Sequence, residues 1–237
     1  MKVITIGTGS MWYKYNSACY LIDNDIMVDF PNGACKYLYR NNIEPSSINH
    51  ILITHFHGDH YFDLPFLILN KSKHNYTNLY IYCSKDGEEK IKQIGQLAFP
   101  NSFNIAHKQL NTNYNFNETF QINNYNIKKI LVDHGNLKPC YGYIFNNKNK
   151  YIGFTGDTHL CNGVETMAQT CNYLFCDCMF KEGTKKHQGI NDIIYLTSKY
   201  PRCTFITTHM EENTRQELKK LKIKNLLVPN DYDIFNI

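Results

Sequence analysis

Apolar and polar positions alternate through residues 2–6, and short β-type runs recur at 18–23, 26–29, 50–54 and 78–82. Between them, apolar residues return every three or four positions at 33–41, 61–70 and 86–98, which predicts helices. The middle of the chain, 102–156, reads as successive short strands divided by Asn and Gly turns. After it the pattern predicts a helix at 162–169, a strand at 173–178, a helix at 190–199, a strand at 203–207, a helix at 214–222 and a last short strand within 226–236. Strand-rich and mixed β–α segments thus occur twice. That order predicts two sheets packed face to face with helices outside. No Pro/Ser-rich linker, repeat or sharp charge shift divides the chain, so residues 1–237 read as a single domain.

The apolar run Ile51-Leu52-Ile53 is followed by Thr-His-Phe-His-Gly-Asp-His, residues 54–60. The run reads as a buried strand and the Gly-containing segment as a tight turn. His55, His57, Asp59 and His60 are metal-capable, and so many bare imidazoles with a carboxylate seldom crowd together without a cation. Neutral imidazole and carboxylate suit zinc, and manganese or iron as well. Three further residues close apolar β-type runs in the same way. His134 follows Ile130-Leu131-Val132, Asp157 follows Ile152-Gly153-Phe154, and His209 follows Phe205-Ile206-Thr207. A lone His at a strand end is usually a satisfied polar residue. Three such residues beside the 55–60 cluster form a coherent ligand set, because packed sheets bring their strand ends to a common edge.

Taken in order, Asp29, His55-x-His57-x-Asp59-His60, His134, Asp157 and His209 resemble the metallo-β-lactamase superfamily over nearly the whole chain. The resemblance implies an α/β fold, a four-layer αββα sandwich of two mixed sheets with helices on the outer faces. It also implies two divalent metal ions, with zinc the expected pair and manganese or iron as alternatives. His55, His57 and His134 would hold one ion; Asp59, His60 and His209 would hold the other; Asp157 would bridge them. Asp29 would brace the ligand loop without binding metal. The antibiotic-hydrolysing members carry Cys where this chain has Asp157, which argues against a lactamase. Gly7-Thr8-Gly9-Ser10, Tyr141-Gly142-Tyr143-Ile144 and the segment from Cys176 to His187 are similar to the ribonuclease Z-like and cyclic phosphodiesterase branch. In that branch His187 would act near the scissile phosphate.

The same resemblance has a gap. Ribonuclease Z enzymes of the common short form carry a long tRNA-gripping arm between the residues equivalent to His134 and Asp157. Here that stretch holds only a hairpin, 141–146 against 150–154. The expected function is therefore metal-dependent hydrolysis of a small or cyclic phosphodiester, such as a cyclic nucleotide. A ribonuclease Z-like RNA endonuclease and an acyl (thioester or lactone) hydrolase are the alternatives. Two divalent ions about 3.5–4 Å apart can share and activate a water. Asp59 would orient it and take its proton, and His187 would touch a phosphoryl oxygen or protonate the leaving oxygen. Asp29 and Asp133 are the candidate acceptors for the second N–H of the ligand histidines.

Composition trims the alternatives. Lys and Arg number 25 against 21 Asp and Glu, a balance of +4 that by itself does not imply nucleic-acid binding. No segment approaches 18 apolar residues, so no membrane span is expected, and the N-terminus lacks the apolar stretch of a signal peptide. Nine scattered cysteines, an odd number, read as reduced thiols of a cytoplasmic protein, with Cys176 and Cys178 packed rather than metal-bound. Relatives in the branch are often homodimers, which is an implication of the resemblance alone. His159 and the lysine run 219–224 read as surface features, and Tyr13, Tyr15, Tyr61 and Phe62 flank the proposed site loops.

Overall fold

The computed structural model describes all 237 residues. The chain divides into two compact units. The first comprises Met1–Gly7, Asn16–Phe116 and Asp231–Ile237; the second comprises Thr8–Tyr15 and Asn117–Asn230. Each is built on one mixed sheet of seven strands with helices, so the class is α/β with two mixed sheets.

The first unit contains β1 (Lys2–Gly7), β2 (Cys19–Ile22), β3 (Ile26–Val28), α1 (Ala34–Arg40), β4 (His50–Leu52), α2 (Gly58–Tyr61), α3 (Leu64–Lys73), β5 (Leu79–Tyr82), α4 (Gly87–Ala98), α5 (Ser102–Gln109) and β6 (Thr112–Asn115). A C-terminal strand, Ile234–Asn236, returns to pair with β1, giving the order C-terminal strand-β1-β2-β3-β4-β5-β6. Alternate residues of the strands (Ile4 and Ile6, Cys19 and Leu21, Leu79 and Ile81) pack against Leu38, Leu67, Ile91 and Phe103 of the helices in one apolar cluster. The parallel pairing of β3 with β4 matches Val28 to Leu52. Both strands therefore end at the same edge, with Asp29 next to the turn that begins at Ile53.

The second unit contains β7 (Thr119–Ile122), β8 (Tyr125–His134), β9 (Leu137–Asn147), β10 (Lys150–Phe154), α6 (Asn162–Thr170), β11 (Tyr173–Asp177), α7 (Ile190–Lys199), β12 (Thr204–Thr208), α8 (Glu212–Lys220) and β13 (Leu226–Leu227); the C-terminal strand is accordingly β14. The order is β13-β12-β11-β10-β9-β8-β7. β10, β11 and β12 run parallel, with Phe154 beside Phe175 and Asp177 beside Thr208. β8 and β10 both run antiparallel to β9. The ends of β8, β10, β11 and β12 thus lie on one edge, and β11, β12 and the crossover helices follow the parallel α/β pattern. Val164, Met167, Ile193, Leu196 and Leu218 of the three helices share a core with Leu174, Cys176 and Phe205.

Several elements differ from the sequence reading. Residues 102–109 are helical, α5, where short strands are expected. Phe103, Ala106 and Leu110 are buried at helical spacing, and the surrounding Asn residues mask that period as turn signal. The helix expected at 61–70 is two helices. Asp63 is the residue before α3 and makes no side-chain capping hydrogen bond to it, Pro65 occupies the first turn where no N–H is needed, and the Asp63 carboxylate accepts the Cys35 N–H at 2.8 Å. The segment expected as a tight turn after His57 is the short helix α2, with Asp59 and His60 on it. The last short strand expected within 226–236 is two, Leu226–Leu227 and Ile234–Asn236, in different sheets, and β8 and β9 are longer than the short strands expected there; the other expected elements, including the β9–β10 hairpin, fall within a few residues of the observed ones. All nine cysteines are free thiols.

Lys71 of α3 is fully buried, and its ammonium donates to Ser46 O at 2.8 Å, Ile48 O at 2.7 Å and Asn49 Oδ1 at 3.1 Å. It ties α3 to the loop that enters β4. Lys71→Met removes this donor from two buried carbonyls, so a loss of about 2–4 kcal/mol is expected in urea unfolding. An unchanged midpoint would show that water replaces the ammonium.

Candidate metal centre and its braces

In the first unit the ligand loop begins where β4 stops. Asp29, at the end of β3, adopts a left-handed backbone with φ 61°. A non-glycine residue in that region stores strain and is held by its surroundings. Here the holding groups are explicit. Asp29 Oδ1 accepts the Thr54 N–H at 2.8 Å, and Oδ2 accepts Thr54 Oγ1 and lies 2.8 Å from His60 Nδ1. Burial raises the Asp29 pKa, and the His60 and Thr54 contacts offset this only in part. The hydrogen bond assigns the His60 proton to Nδ1 and leaves Nε2 as the acceptor nitrogen, 3.7 Å from Asp59 Oδ2. His55 Nε2 and His57 Nδ1 approach to 3.2 Å, and the His55 and His60 rings stand 4.0 Å apart. His55, Asp59 and His60 are buried.

In the second unit His134 is the last residue of β8, Asp157 follows β10, and His209 follows β12 with φ 57°, again left-handed. His209 Nε2 lies 3.3 Å from Asp157 Oδ2. Asp157, His187 and His209 place ligand-type atoms within 4.8 Å of one another. His134 donates from Nδ1 to the Lys186 carbonyl at 2.8 Å, so its Nε2 is the acceptor nitrogen. Burial lowers the His134 pKa more than Asp157 raises it, which favours the neutral imidazole that ligation requires.

Asp177, at the end of β11, is the residue that sequence reading missed. Its Oδ2 accepts from His187 Nδ1 at 2.9 Å and from the Thr158 N–H at 3.1 Å, and its Oδ1 lies 3.6 Å from His209 Nδ1. The His187 and His209 rings stack, with centroids 5.2 Å apart. Burial pulls the His187 pKa down, but the charge and hydrogen bond of Asp177, then the charge of Asp157, outweigh it, so the net shift is upward. Asp133 does not fill the role expected for it. Its Oδ1 accepts the Gly135 N–H at 3.0 Å, because neighbours on a strand point to opposite faces and His134 takes the other one. A strand-end Asp paired in register with the residue before His209 is the signal that could have found Asp177.

Three of the remaining histidines have local partners. His50 is 3.2 Å from the Tyr82 hydroxyl, His107 is 2.9 Å from the Tyr114 hydroxyl, and half-buried His159 meets the Lys185 carbonyl at 3.1 Å. Lys219, Lys220, Lys222 and Lys224 are exposed, as the sequence reading expected.

The donor spacings within each unit suit a cation. Two nitrogens bound to one tetrahedral zinc at about 2.0–2.1 Å stand roughly 3.3 Å apart. The separations of 3.2 Å for His55–His57 and 3.3 Å for Asp157–His209 match that chord, and the Asp59–His60 separation of 3.7 Å is close to it. Neutral imidazoles with carboxylates form a donor set for zinc, manganese or iron.

Comparison with known proteins gives relatives in sequence and in fold. Ribonuclease Z of Pyrococcus abyssi is 32% identical over 162 residues, which are 65% of this chain and 50% of that protein. The chain thus spans about half the length of the curated relatives it matches. The metallo-β-lactamase fold protein YhfI from Bacillus subtilis superposes with a TM-score of 0.78 at 15% identity, covering 99% of this chain and 98% of that one. A diphosphatase of the PhnP family superposes with a TM-score of 0.75 at 15% identity, covering 100% and 97%. The fold is the metallo-β-lactamase fold of YhfI, and the sequence is similar to ribonuclease Z over those 162 residues. No helix is long and apolar enough to cross a membrane. Residues 1–229 match the family described as Anti-Pycsar protein Apyc1, and the chain belongs to that family.

Proposed function

We propose that the chain is a metal-dependent hydrolase that cleaves a small or cyclic phosphodiester, such as a cyclic nucleotide. In this reading the two units act as one metallo-β-lactamase-fold domain. His55, His57 and His134 would hold one divalent ion, Asp59, His60 and His209 would hold a second, and Asp157 would serve both, with zinc as the expected metal. When bound, such a pair supplies positive charge to phosphoryl oxygens and lowers the pKa of water to about 7.

The chain's own residues do the rest. Asp59, at the start of α2, orients the attacking water and receives its proton. Asp29 holds His60, and the Lys186 carbonyl holds His134, each fixing which ring nitrogen faces the ligand side. His187 presents Nε2 while Asp177 grips Nδ1. The Asp177 charge and hydrogen bond shift its pKa upward and so favour the protonated ring, which can give a proton to the departing oxygen or hydrogen-bond a phosphoryl oxygen. The observation that carries the reading is this braced imidazole, within 4.8 Å of both Asp157 and His209. A hydrolase of thioesters or lactones has less use for a second proton donor beside its ligands.

An RNA substrate is the second reading, favoured by the identity to ribonuclease Z. Against it, the stretch between β8 and β10 is the single strand β9 with two turns, which offers little surface to grip an RNA. The deciding experiment is a panel on metal-replete protein: 3′,5′- and 2′,3′-cyclic nucleotides, a sugar cyclic phosphate, a precursor tRNA and a thioester. Cyclic phosphodiesters should be preferred, and a chelator should abolish turnover. Strong preference for the thioester or the tRNA overturns the ranking.

Asp177→Ala should loosen both His187 and His209. Metal affinity is expected to fall roughly 10- to 100-fold, the usual loss for an outer carboxylate of a metal site. Competition with a chromophoric chelator measures it; unchanged affinity would mean that Asp177 serves only β11.

A further inference from the structure

Residues 8–15 form a loop of the second unit, and its base is held unusually firmly. Arg215 of α8 is 1% exposed. Its Nη2 donates to Thr8 Oγ1 at 2.7 Å and to Thr8 O at 3.2 Å, its Nη1 donates to Pro229 O, and its guanidinium carbon lies 3.9 Å from the centre of the Tyr15 ring. Thr8 O also accepts the Met210 N–H at 3.2 Å, and Gly9 pairs with Met210 in a parallel bridge. A side chain at Gly9 would meet Tyr15 Cβ at 2.7 Å, so the loop closes on itself only with glycine there. Tyr13 is hydrogen-bonded to Glu211, and Lys14 is 3.6 Å from Glu212.

On this rigid base stands Trp12, the single tryptophan of the chain, 79% exposed. A free-swinging loop could bury such a ring against its own surface; this one holds it out in water, forgoing the burial that a tryptophan side chain normally supplies. The residue paired with Gly9 directly follows His209. Three residues of chain from Gly9 to Trp12 reach at most about 10 Å, of the order of the length of a nucleotide.

We propose that Trp12 is a specificity-determining residue, the platform on which a flat ring carried by the phosphodiester substrate stacks while its phosphate is at His187 and His209. The inference rests on the phosphodiesterase reading of that site and adds the part of the substrate that is recognised. Every base has a π-face, so one indole selects for aromatic substituents without choosing among bases. A second copy of the chain is the rival occupant, since exposed aromatic residues also anchor interfaces.

The test compares wild type, Trp12→Ala and Trp12→Phe on two substrates, a 3′,5′-cyclic nucleotide and the same sugar cyclic phosphate without its base. Trp12→Ala should cut kcat/KM roughly 5- to 150-fold on the nucleotide, leave the base-free substrate unchanged, and be largely rescued by Trp12→Phe. Because Trp12 is the only tryptophan, its emission is a second readout that needs no turnover. A slowly hydrolysed cyclic nucleotide phosphorothioate should quench it saturably, and the base-free phosphate should not. Equal losses on both substrates, no loss, or no quenching overturns the assignment. So does an emission change that follows protein concentration together with a mass shift, which would give Trp12 to self-association. If wild type hydrolyses neither substrate, the phosphodiesterase reading fails, while quenching still decides whether Trp12 binds a base.

Discussion

Asp157→Ala is expected to lower phosphodiester hydrolysis by three orders of magnitude or more, the upper scale for losing one charge-stabilising group of an active site. The argument is geometric. Asp157 leaves β10 on the edge where β8, β11 and β12 also end, and its Oδ2 stands 3.3 Å from His209 Nε2. In the proposed site it is the one ligand common to both ions, so its loss should weaken both together. Metal analysis of the purified variant should show less than half the wild-type content. The fold should survive, because Asp157 lies beyond the strand and not in the apolar cluster of β11, β12 and the helices. Activity that persists without bound metal would refute the mechanism.

His187→Ala should separate chemistry from metal binding. Removing a positioned general acid costs roughly 10²- to 10⁴-fold, and the metal content should stay near that of wild type, since His187 is read as a proton donor and not a ligand. The loss should be greatest for poor leaving groups, which need the proton most. A phosphodiester with an acidic aryl leaving group should therefore recover much of the rate. If metal content falls in step with activity, His187 is a ligand and the acid must be sought elsewhere. Asp177 is the second check on this pair. It fixes His187 through Nδ1 and supplies the charge that holds its proton. Removing that carboxylate should lower the pH above which activity falls, because a histidine whose pKa is raised stays protonated to higher pH than one without its partner.

The sequence shows the proposed ligand residues more clearly than the residues that aim them. His55, His57, Asp59 and His60 are legible because all four lie on one short stretch after an apolar run, a local arrangement needing no knowledge of the fold. His134, Asp157 and His209 are legible as polar ends of β-type runs; in the structure His134 ends β8, His209 directly follows β12 and Asp157 stands three residues past β10. Asp29 is found because it closes Ile26-Met27-Val28, and the parallel register of β3 with β4 then brings it to Thr54 and His60. Asp177 is hidden by its neighbours: between Cys176 and Cys178 it reads as one more position of a packed strand. Its role depends on the pairing of β11 with β12, and strand order is not written in any local period. Asp133 adjoins His134 in sequence, yet alternation along β8 turns it away and its Oδ1 accepts the Gly135 N–H. The helix α5 is likewise obscured, since Asn101, Asn104 and Asn111 imitate turn signals around a buried Phe103.

Calorimetric titration of the metal-stripped chain with zinc, run beside His57→Ala from the first unit and His134→Ala from the second, tests the central claim most directly. Two ions per chain for wild type, and a weakened site in each variant, are the predicted result. Tight binding of two ions that ignores either substitution, or no binding by the wild-type chain, would contradict the proposed two-metal reading.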